Sequence, residues 1–384
     1  MVLNRRRSAS RSRATSTPLL TLDSIVLITG ATQGLGRETA LSLARTSRFS
    51  HIILGCRDLI AARQLAAEPD TNGRLIVLEN SLDLSSGDSI RLFSSALKSW
   101  LSGRSITSLI FNAGAPASLG GVNTTTDGYE RTFATNHLGH FSLLIHLAPV
   151  LIRGGACNII SVASDAHDPT TGSGCPDPAI GWPESNDSIE IWDQTIAGIA
   201  GGRRASDSDR IRTTTLPFAG ALRYSRSKLE NVLFIRELAK LAPHASVSAF
   251  NPGILLDTAF VRVLLGTFVA AIARSLVPLL VWTPLGRMMR TAPQSGAALA
   301  TIASYSNTTT TTTNKNNNNT KGHAIYYDAA PTGGPRVSSV SPWVESSDGV
   351  KAASALWKHS ERWLIPSHAS RSEINIAMNA LSKL

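Results

Sequence analysis

The sequence predicts an α/β protein built on a doubly wound, mostly parallel β-sheet. Short apolar runs recur over the first 250 residues, and segments with helical periodicity separate them. This alternation is typical of strands joined by helical crossovers. The first run leads into a glycine-rich turn, which is the second sign of such a sheet. With 384 residues, of which 42% are hydrophobic, the chain can bury one large core. We therefore expect a single domain with insertions.

The strands are predicted in the order in which the apolar runs occur. They cover residues 24–29, 51–55, 74–78, 108–111, 158–162 and 247–250. A helix is predicted from Arg37 to Arg45, directly after the glycine-rich turn. In such sheets ligands bind at the carboxyl ends of the strands, so the residues that follow each strand are the candidates for function.

Changes in composition divide the rest of the chain. We predict a domain over residues 22–365, between a disordered basic tail (1–21) and a C-terminal tail (366–384). Within the domain we predict an insertion at 168–215, a substrate lid at 254–290 and a low-complexity surface loop at 306–320.

The net charge of +10 is partly a property of the N-terminal tail, where five arginines precede the first acid at Asp23. We interpret this tail as solvated and disordered, with a transit peptide or a nuclear signal as the alternatives. The three cysteines lack metal-site spacing, which favours a reducing, intracellular and cytoplasmic setting.

The most apolar segment runs from Ala259 to Trp282. Arg262, Arg274 and Pro278 interrupt it, so that no uncharged run is long enough to cross a bilayer. We expect a lid over a lipophilic substrate, or a helix resting on a membrane surface.

Three glycines lie between the first strand and the first helix. Backbone N–H groups and a helix N-terminus at such a turn favour the pyrophosphate of a dinucleotide, as in a Rossmann-type sheet. The predicted cofactor-binding residues of this turn are Thr29, Gly30, Gln33, Gly34, Leu35 and Gly36.

Two cations indicate which dinucleotide is preferred. Arg37 follows the third glycine and Arg57 follows the second strand, where an arginine accommodates a 2′-phosphate. We therefore predict NADP(H) in preference to NAD(H). The alternative is that the neighbouring Asp58 accepts from the ribose hydroxyl of NAD.

Further cofactor contacts are predicted after the third and fourth strands. Asp83 either accepts from the adenine amino group or caps a helix that begins at Ser89. Asn112, Ala113 and Gly114 close the fourth strand, where small residues let a cofactor approach the backbone.

A second set of residues suits the reduction of a carbonyl. Lys228 follows Tyr224 by four positions, so a helix brings the phenol and the ammonium to the same face. A tyrosine can act as the acid near neutral pH only where a nearby cation lowers its pKa. Ser164, after the fifth strand, can donate to the substrate oxygen.

Together these motifs resemble the short-chain dehydrogenases/reductases over roughly residues 22–365. The runs Asn136–Phe141, Gly55–Arg57 and Leu356–Arg362 look most like the branch that holds retinol dehydrogenases and light-dependent protochlorophyllide reductase. That branch mostly uses NADPH.

The resemblance implies a role for each catalytic residue. It makes Tyr224 the general acid/base, while Lys228 binds the nicotinamide ribose and assists the tyrosine. It also makes Ser164 the group that orients the carbonyl, and Asn136 the support of a proton-relay water. Pro252 and Gly253 resemble the family's Pro-Gly element beside the cofactor.

The chain departs from the family's pattern in ways that matter for the site. Alignment to the family's Val-Ser-Ser pattern selects Ser164 and leaves Ser161 as a strand residue. Ser164 and Tyr224 are 60 positions apart, which is further than the family commonly shows. We therefore expect the insertion to border the active site.

The leading hypothesis is an NADPH-dependent oxidoreductase acting on a lipophilic small molecule. The alternatives are an NADP-binding epimerase or dehydratase, and a non-catalytic dinucleotide-binding scaffold. Nucleic acid is not expected as a partner, whereas peripheral membrane contact and a homodimer are left open. His137, His140 and His167 lack zinc-site spacing, so we expect no metal, and the resemblance makes them packing or loop residues.

Overall fold

The computed structural model describes residues 24–46, 49–116, 123–152, 157–171, 177–179, 181–198, 219–255, 289–304, 323–330, 334–365 and 367–384. The strands in these ranges are β1 (Ile25–Thr29), β2 (His51–Gly55), β3 (Leu75–Ile76), β4 (Ser108–Phe111), β5 (Asn158–Val162), β6 (Ser246–Asn251), β7 (Ile254–Leu255), β8 (Met289–Arg290), β9 (Ile325–Ala329) and β10 (Pro335–Ser338).

Eight of these strands form one sheet in the order β10-β9-β6-β5-β4-β1-β2-β3. Each neighbouring pair is parallel except β9 and β10, which are antiparallel. After β3 the chain crosses to the other side of β1 to form β4, so the strand order switches between β1 and β4. Ligands bind at this switch point in doubly wound sheets. The predicted fold class is confirmed. The predicted third strand is shorter than expected, and β9 and β10 were not predicted.

Helices cover both faces of the sheet. They are α1 (Gly34–Thr46), α2 (Leu59–Ala66), α3 (Gly87–Leu101), α4 (Arg131–Phe133), α5 (Gly139–Leu147), α6 (Ile189–Thr195), α7 (Ala219–Leu241), α8 (Ala292–Ser304), α9 (Pro342–Glu345), α10 (Ser347–Leu364) and α11 (Arg371–Leu381). Along β1, Ile25 and Leu27 enter the core beneath α3, α5 and α7, whereas Val26 and Ile28 enter the core beneath α1 and α8. A fully apolar strand results because both of its faces are buried.

The prediction that residues 366–384 form a C-terminal tail outside the domain is wrong. It contains α11, which packs against α5 and begins with a capping box between Ser370 and Glu373. Ile374, Ala377 and Leu381 are buried along one side of this helix. Their helical spacing buries an apolar stripe against the domain, which therefore continues beyond residue 365.

Several predicted segments lie wholly or mainly outside the described residues. They are the basic tail (1–21), the low-complexity loop (306–320), the apolar run from Ala259 to Trp282 and most of the lid (254–290). The insertion is described at 168–171, 177–179 and 181–198. Within the described ranges, none of the helices combines the length and the apolar character that crossing a bilayer requires.

Candidate active site

The turn between β1 and α1 can be formed only by glycine at its critical positions. Gly30 and Gly34 have φ of +67° and +54°, in the left-handed region. A Cβ atom on Gly30 would lie 2.8 Å from the Cα atom of Ala113, and one on Gly36 would lie 2.5 Å from the side-chain nitrogen of Asn112. The turn therefore packs directly against the chain that leaves β4.

The predicted cofactor residues after β4 also hold this turn in place. The Asn112 side-chain amide donates to the carbonyl oxygens of Thr29 (2.8 Å) and Gly30 (3.2 Å). In return, the Thr29 hydroxyl accepts from the backbone N–H groups of Asn112 and Ala113, both at 2.9 Å. The two strand ends at the switch point are thus joined by four hydrogen bonds.

These features form a cradle that fits a dinucleotide. Helix α1 begins at Gly34 and has no acidic residue in its first turn, so its N-terminal N–H groups face no carboxylate from that turn. Gln33 is exposed beside this helix start, whereas Leu35 is buried in the core. Cβ atoms on Gly30 and Gly36 would collide with the protein's own backbone, so glycine lets the turn close tightly and places its backbone N–H groups and the start of α1 where a pyrophosphate binds in such turns.

The two arginines that were predicted to bind a 2′-phosphate have different surroundings in the structure. Arg37 is paired with Glu38 and Glu68, each at 2.7 Å, so its charge is already compensated. Arg57 is exposed just after β2. The neighbouring Asp58 caps α2 by accepting from the backbone N–H of Ala61 at 2.9 Å, and this weakens the alternative in which it binds ribose. Arg57 is the better candidate of the two cations.

Asp83 is not the cap of the following helix. Its carboxylate accepts from the backbone N–H and the hydroxyl of Ser85 at 2.9 and 2.7 Å. Helix α3 begins at Gly87 and is capped by Ser86, so the predicted start at Ser89 is wrong. Leu82 N–H donates to the Cys56 carbonyl at 2.8 Å, which places Asp83 beside the end of β2. Its predicted contact with adenine stays a prediction.

Helix α7 carries the predicted acid and its cation. The Lys228 ammonium lies 5.6 Å from the centre of the Tyr224 ring and donates to the Val162 carbonyl at the end of β5, at 3.0 Å. Only 4% of Lys228 is exposed, and burial lowers its pKa to about 8. The hydrogen bond fixes the ammonium between the strand end and the phenol.

The serine selected by alignment lies two residues beyond β5. Ser164 is half-buried in extended backbone, and its oxygen accepts from the backbone N–H of Ala166 at 3.3 Å. In the part of the chain that the structure describes, the Ser164 hydroxyl is thereby left to donate. Ser161 is buried inside β5, as its interpretation as a strand residue requires.

Asn136 occupies a π-helical turn, Ala134–Leu138, between α4 and α5. Such wide turns are frequent at functional sites. The Asn136 side chain accepts from Ala115 N–H at 2.7 Å and donates to the Ala115 carbonyl (3.1 Å) and to the Ser227 hydroxyl (2.9 Å). Ser227 lies on α7 and in turn donates to the Tyr224 carbonyl at 2.7 Å. Asn136 therefore ties the segment after β4 to α7, the helix that carries Tyr224 and Lys228.

Gly114 lies at the centre of this arrangement. A Cβ atom there would be 3.5 Å from the Asn136 side-chain oxygen and 3.7 Å from the Lys228 ammonium. Gly114 is exposed, so the space beside the ammonium opens to solvent. Without a side chain at Gly114, the space beside the Lys228 ammonium is left unfilled.

The turn after β6 is held by residues that sequence reasoning missed. Asn251 accepts from Gly253 N–H at 3.0 Å and donates to carboxylates of Asp165 and Asp328. Ser295 donates to the Pro252 carbonyl at 2.7 Å. Burial raises the pKa of Asp165 to about 6, with a further contribution from Asp328. Asp165 adjoins Ser164 in the chain, but Asp328 lies in β9, which was not predicted.

The described part of the insertion reaches the catalytic helix. Trp192 on α6 is fully buried and stacks on His359, with ring centres 4.5 Å apart. Asp193 binds Arg362 and also accepts from Trp363. Arg226 on α7 donates to the Thr195 carbonyl at 3.2 Å. These contacts place the segment next to the helix that holds Tyr224, as the serine-to-tyrosine spacing predicts.

Three of the site's features come from different parts of the fold. The glycine cradle lies at the end of β1, the hydroxyl of Ser164 at the end of β5, and the phenol and ammonium on α7. Such an arrangement can hold a dinucleotide on one side and hand a proton to a small ligand on the other.

Comparison with known proteins agrees with this geometry. The family model for short chain dehydrogenase matches residues 24–174. Retinol dehydrogenase 14 of Mus musculus is 32% identical over 281 residues, which are 68% of this chain and 70% of that protein. Retinol dehydrogenase 12 of Mus musculus is 33% identical over 237 residues, 61% of this chain and 62% of the relative. The chain thus spans about three fifths of the length of the latter.

A solved structure shares the fold. It is described as a putative uncharacterized protein from Mycobacterium Paratuberculosis, has 24% sequence identity and superposes with a TM-score of 0.56, covering 92% of this chain and 97% of that one. Together with the site and the matched relatives, the fold leads to one conclusion: the chain belongs to the short-chain dehydrogenase family.

Proposed function

We propose that this protein is an NADPH-dependent oxidoreductase that reduces the carbonyl group of a lipophilic small molecule, or oxidises the corresponding alcohol. The observation that carries the proposal is the position of the Lys228 ammonium. It lies 5.6 Å from the centre of the Tyr224 ring, donates to the Val162 carbonyl two residues before Ser164, and would be 3.7 Å from a Cβ atom on Gly114, which follows the residues that hold the glycine cradle. A scaffold that only bound the dinucleotide would have no need for the phenol or for the serine hydroxyl.

The bound nicotinamide would supply or accept the hydride. Ser164 then donates a hydrogen bond to the substrate oxygen, which polarises the carbonyl for attack. Tyr224 gives its phenolic proton to that oxygen during reduction and takes it back during oxidation. Lys228, held by Val162, offers its ammonium to the ribose and stabilises negative charge on the phenol.

Asn136 and Ser227 hold α7, which carries Tyr224 and Lys228, in a fixed position relative to the glycine cradle. The Asn136 amide fixes Ala115 on one side and Ser227 on the other. A displacement of the catalytic helix relative to the cradle would break these hydrogen bonds, and small misplacements of reacting groups cost large factors in rate.

The preference for NADPH is supported by Arg57. It is exposed beside the end of β2, whereas Arg37 is compensated by two glutamates. An arginine without a competing carboxylate can form a charge-assisted pair with a 2′-phosphate.

The lipophilic substrate class is supported by the apolar run from Ala259 to Trp282 and by the names of the matched retinol dehydrogenases. The same run suits peripheral contact with a membrane surface. If the run is a lid, a carbonate wash should release the protein from a membrane fraction. Retention until detergent is added would contradict the lid.

The test is a screen of NADPH oxidation with aldehydes, steroids, retinoids and other apolar ketones, followed by Tyr224→Phe. This variant should bind NADPH with unchanged affinity and lose most of its turnover, because only the phenolic proton is removed. The matched control is Tyr326→Phe, which removes a buried hydroxyl for which no hydrogen-bond partner lies among the described residues. Turnover by Tyr224→Phe at a rate near that of the wild type would refute the proposal.

A further inference from the structure

A buried histidine links the cofactor cradle to the turn that carries Asn136. The His140 ring is 2% exposed and contacts the Phe111 ring, with centres 4.9 Å apart. Its Nε2 atom lies 2.9 Å from the Thr29 hydroxyl, and its Nδ1 atom lies 3.1 Å from the Asn136 carbonyl oxygen. The family resemblance in the sequence implied that His140 is a packing or loop residue.

The partners determine where the protons lie. The Asn136 carbonyl can only accept, so Nδ1 of His140 carries the hydrogen and Nε2 is the acceptor. The Thr29 hydroxyl therefore donates to Nε2. Its two lone pairs remain for the backbone N–H groups of Asn112 and Ala113, which both point at it from 2.9 Å. The hydroxyl also lies 3.4 Å from the Ile110 carbonyl oxygen, a longer contact than the 2.9 Å to Nε2.

The protonated ring would not fit this network. An imidazolium has two donors and no acceptor, so the Thr29 hydroxyl would face a donor instead of a lone pair. Burial lowers the pKa of His140 to about 3, and the nearby Lys228 ammonium acts in the same direction. The ring is therefore neutral throughout the physiological range.

We propose that His140, in its Nδ1–H form, is a positioning residue that couples the glycine cradle to the Asn136 turn. It orients the Thr29 hydroxyl, and this hydroxyl holds the backbone of Asn112 and Ala113 against the cradle. At its other end it fixes the carbonyl of Asn136, whose side chain holds the catalytic helix through Ser227. The inference rests on the proposed function, since it concerns the same site.

Two other buried histidines lie nearby but face away from the cradle. His137 pairs with the Ser360 hydroxyl at 2.8 Å, and His146 with the His368 carbonyl at 2.9 Å. Both partners belong to the C-terminal part of the chain. His146 lies on α5 with His140 and is also buried, at 4% exposure, so it is a matched control.

The experiment compares His140→Asn, His140→Gln and His140→Phe with His146→Phe. The Kd for NADPH is measured by calorimetry and the Tm by thermal unfolding. Asn at position 140 can still donate toward Asn136, and Gln can still accept from Thr29, whereas Phe can do neither. We expect His140→Phe to weaken NADPH binding about ten-fold, the usual effect of one lost buried hydrogen bond, and Asn and Gln to weaken it less. His146→Phe should lower the Tm and leave the Kd unchanged.

A double-mutant cycle provides the readout that general destabilisation would not give. Thr29→Val removes the hydroxyl through which His140 acts, so His140→Asn should change the Kd in the wild-type background and not in the Thr29→Val background. Additive effects would overturn the inference, as would equal Kd values for His140→Phe and His146→Phe. If the wild-type protein binds neither NADPH nor NADH, the proposed function fails, and the inference fails with it. Between pH 5 and pH 7 the Kd should depend on pH in the same way in the wild type and in the His140 variants, because the His140 ring does not titrate in this range.

Discussion

Replacing the buried lysine should make the protein more stable and inactive at the same time. Lys228 is almost fully buried, and burial lowers its pKa from 10.5 to about 8. A shift of this size corresponds to about 3 kcal/mol of unfavourable free energy for holding the charged form in the folded state. Methionine has a similar length and no charge, so Lys228→Met removes this cost.

The substitution also removes the hydrogen bond from the ammonium to the Val162 carbonyl, which is worth about 1 kcal/mol. Val162 keeps a second donor, the Asn231 side chain at 3.2 Å, so its carbonyl is not left unpaired. The net expectation is a gain of about 2 kcal/mol in the free energy of unfolding at pH 7, together with loss of turnover and weaker NADPH binding.

The pH dependence has a definite sign. The folded-state pKa of Lys228 lies below the unfolded value, so the cost is fully present below pH 8 and fades as the pH rises toward 10.5. The advantage of Lys228→Met should therefore shrink over that window. Urea unfolding at several pH values measures it, with Lys240→Met as the control, since Lys240 on the same helix is half-exposed and pairs with Glu237. A variant less stable than the wild type at pH 7, or an advantage independent of pH, would refute the reasoning.

Three further predictions follow from the site. Arg57→Ala should weaken NADPH binding about ten- to a hundred-fold and NADH binding little, because a charge-assisted contact to the 2′-phosphate is lost. Arg37→Ala is the control. Equal weakening of NADPH and NADH binding by Arg57→Ala would contradict the assignment of Arg57 to the 2′-phosphate. The pKa of Asp165 is raised from 3.8 to about 6, so the wild type should lose stability as the pH rises through this window. Asp165→Asn should flatten that pH dependence and raise the free energy of unfolding above pH 6 by at most about 2 kcal/mol, after allowance for solvent screening. Urea unfolding between pH 3.5 and pH 7 tests this prediction, and an unchanged slope of stability against pH would argue against it. Gly36→Ala should abolish measurable NADPH binding and destabilise the fold by about 1–3 kcal/mol, because the new methyl group would overlap the Gly30 carbonyl. Retained binding in a calorimetric titration would show that this turn does not bind the dinucleotide.

The sequence alone predicted the parts of this protein that depend on local pattern. The apolar runs identified six of the seven parallel strands in the described eight-stranded sheet, because a strand buried on both faces must be apolar throughout. The glycine turn and the Tyr224 to Lys228 spacing indicated the candidate site, because positive φ and the four-residue repeat of a helix are local properties. The short β3 and the unexpected start of α3 show where such patterns lose precision.

The tertiary structure decided which residues hold the site together. Arg37 looked like Arg57 in the sequence, and only packing revealed the two glutamates that compensate it. No local pattern pairs His140 with Thr29 or Asp328 with Asn251, since these partners are 111 and 77 positions apart in the chain. The C-terminal helix became part of the core because its apolar stripe meets α5. A hydrogen bond or an ion pair depends on positions that the whole fold brings together, and a sequence pattern records only neighbours along the chain.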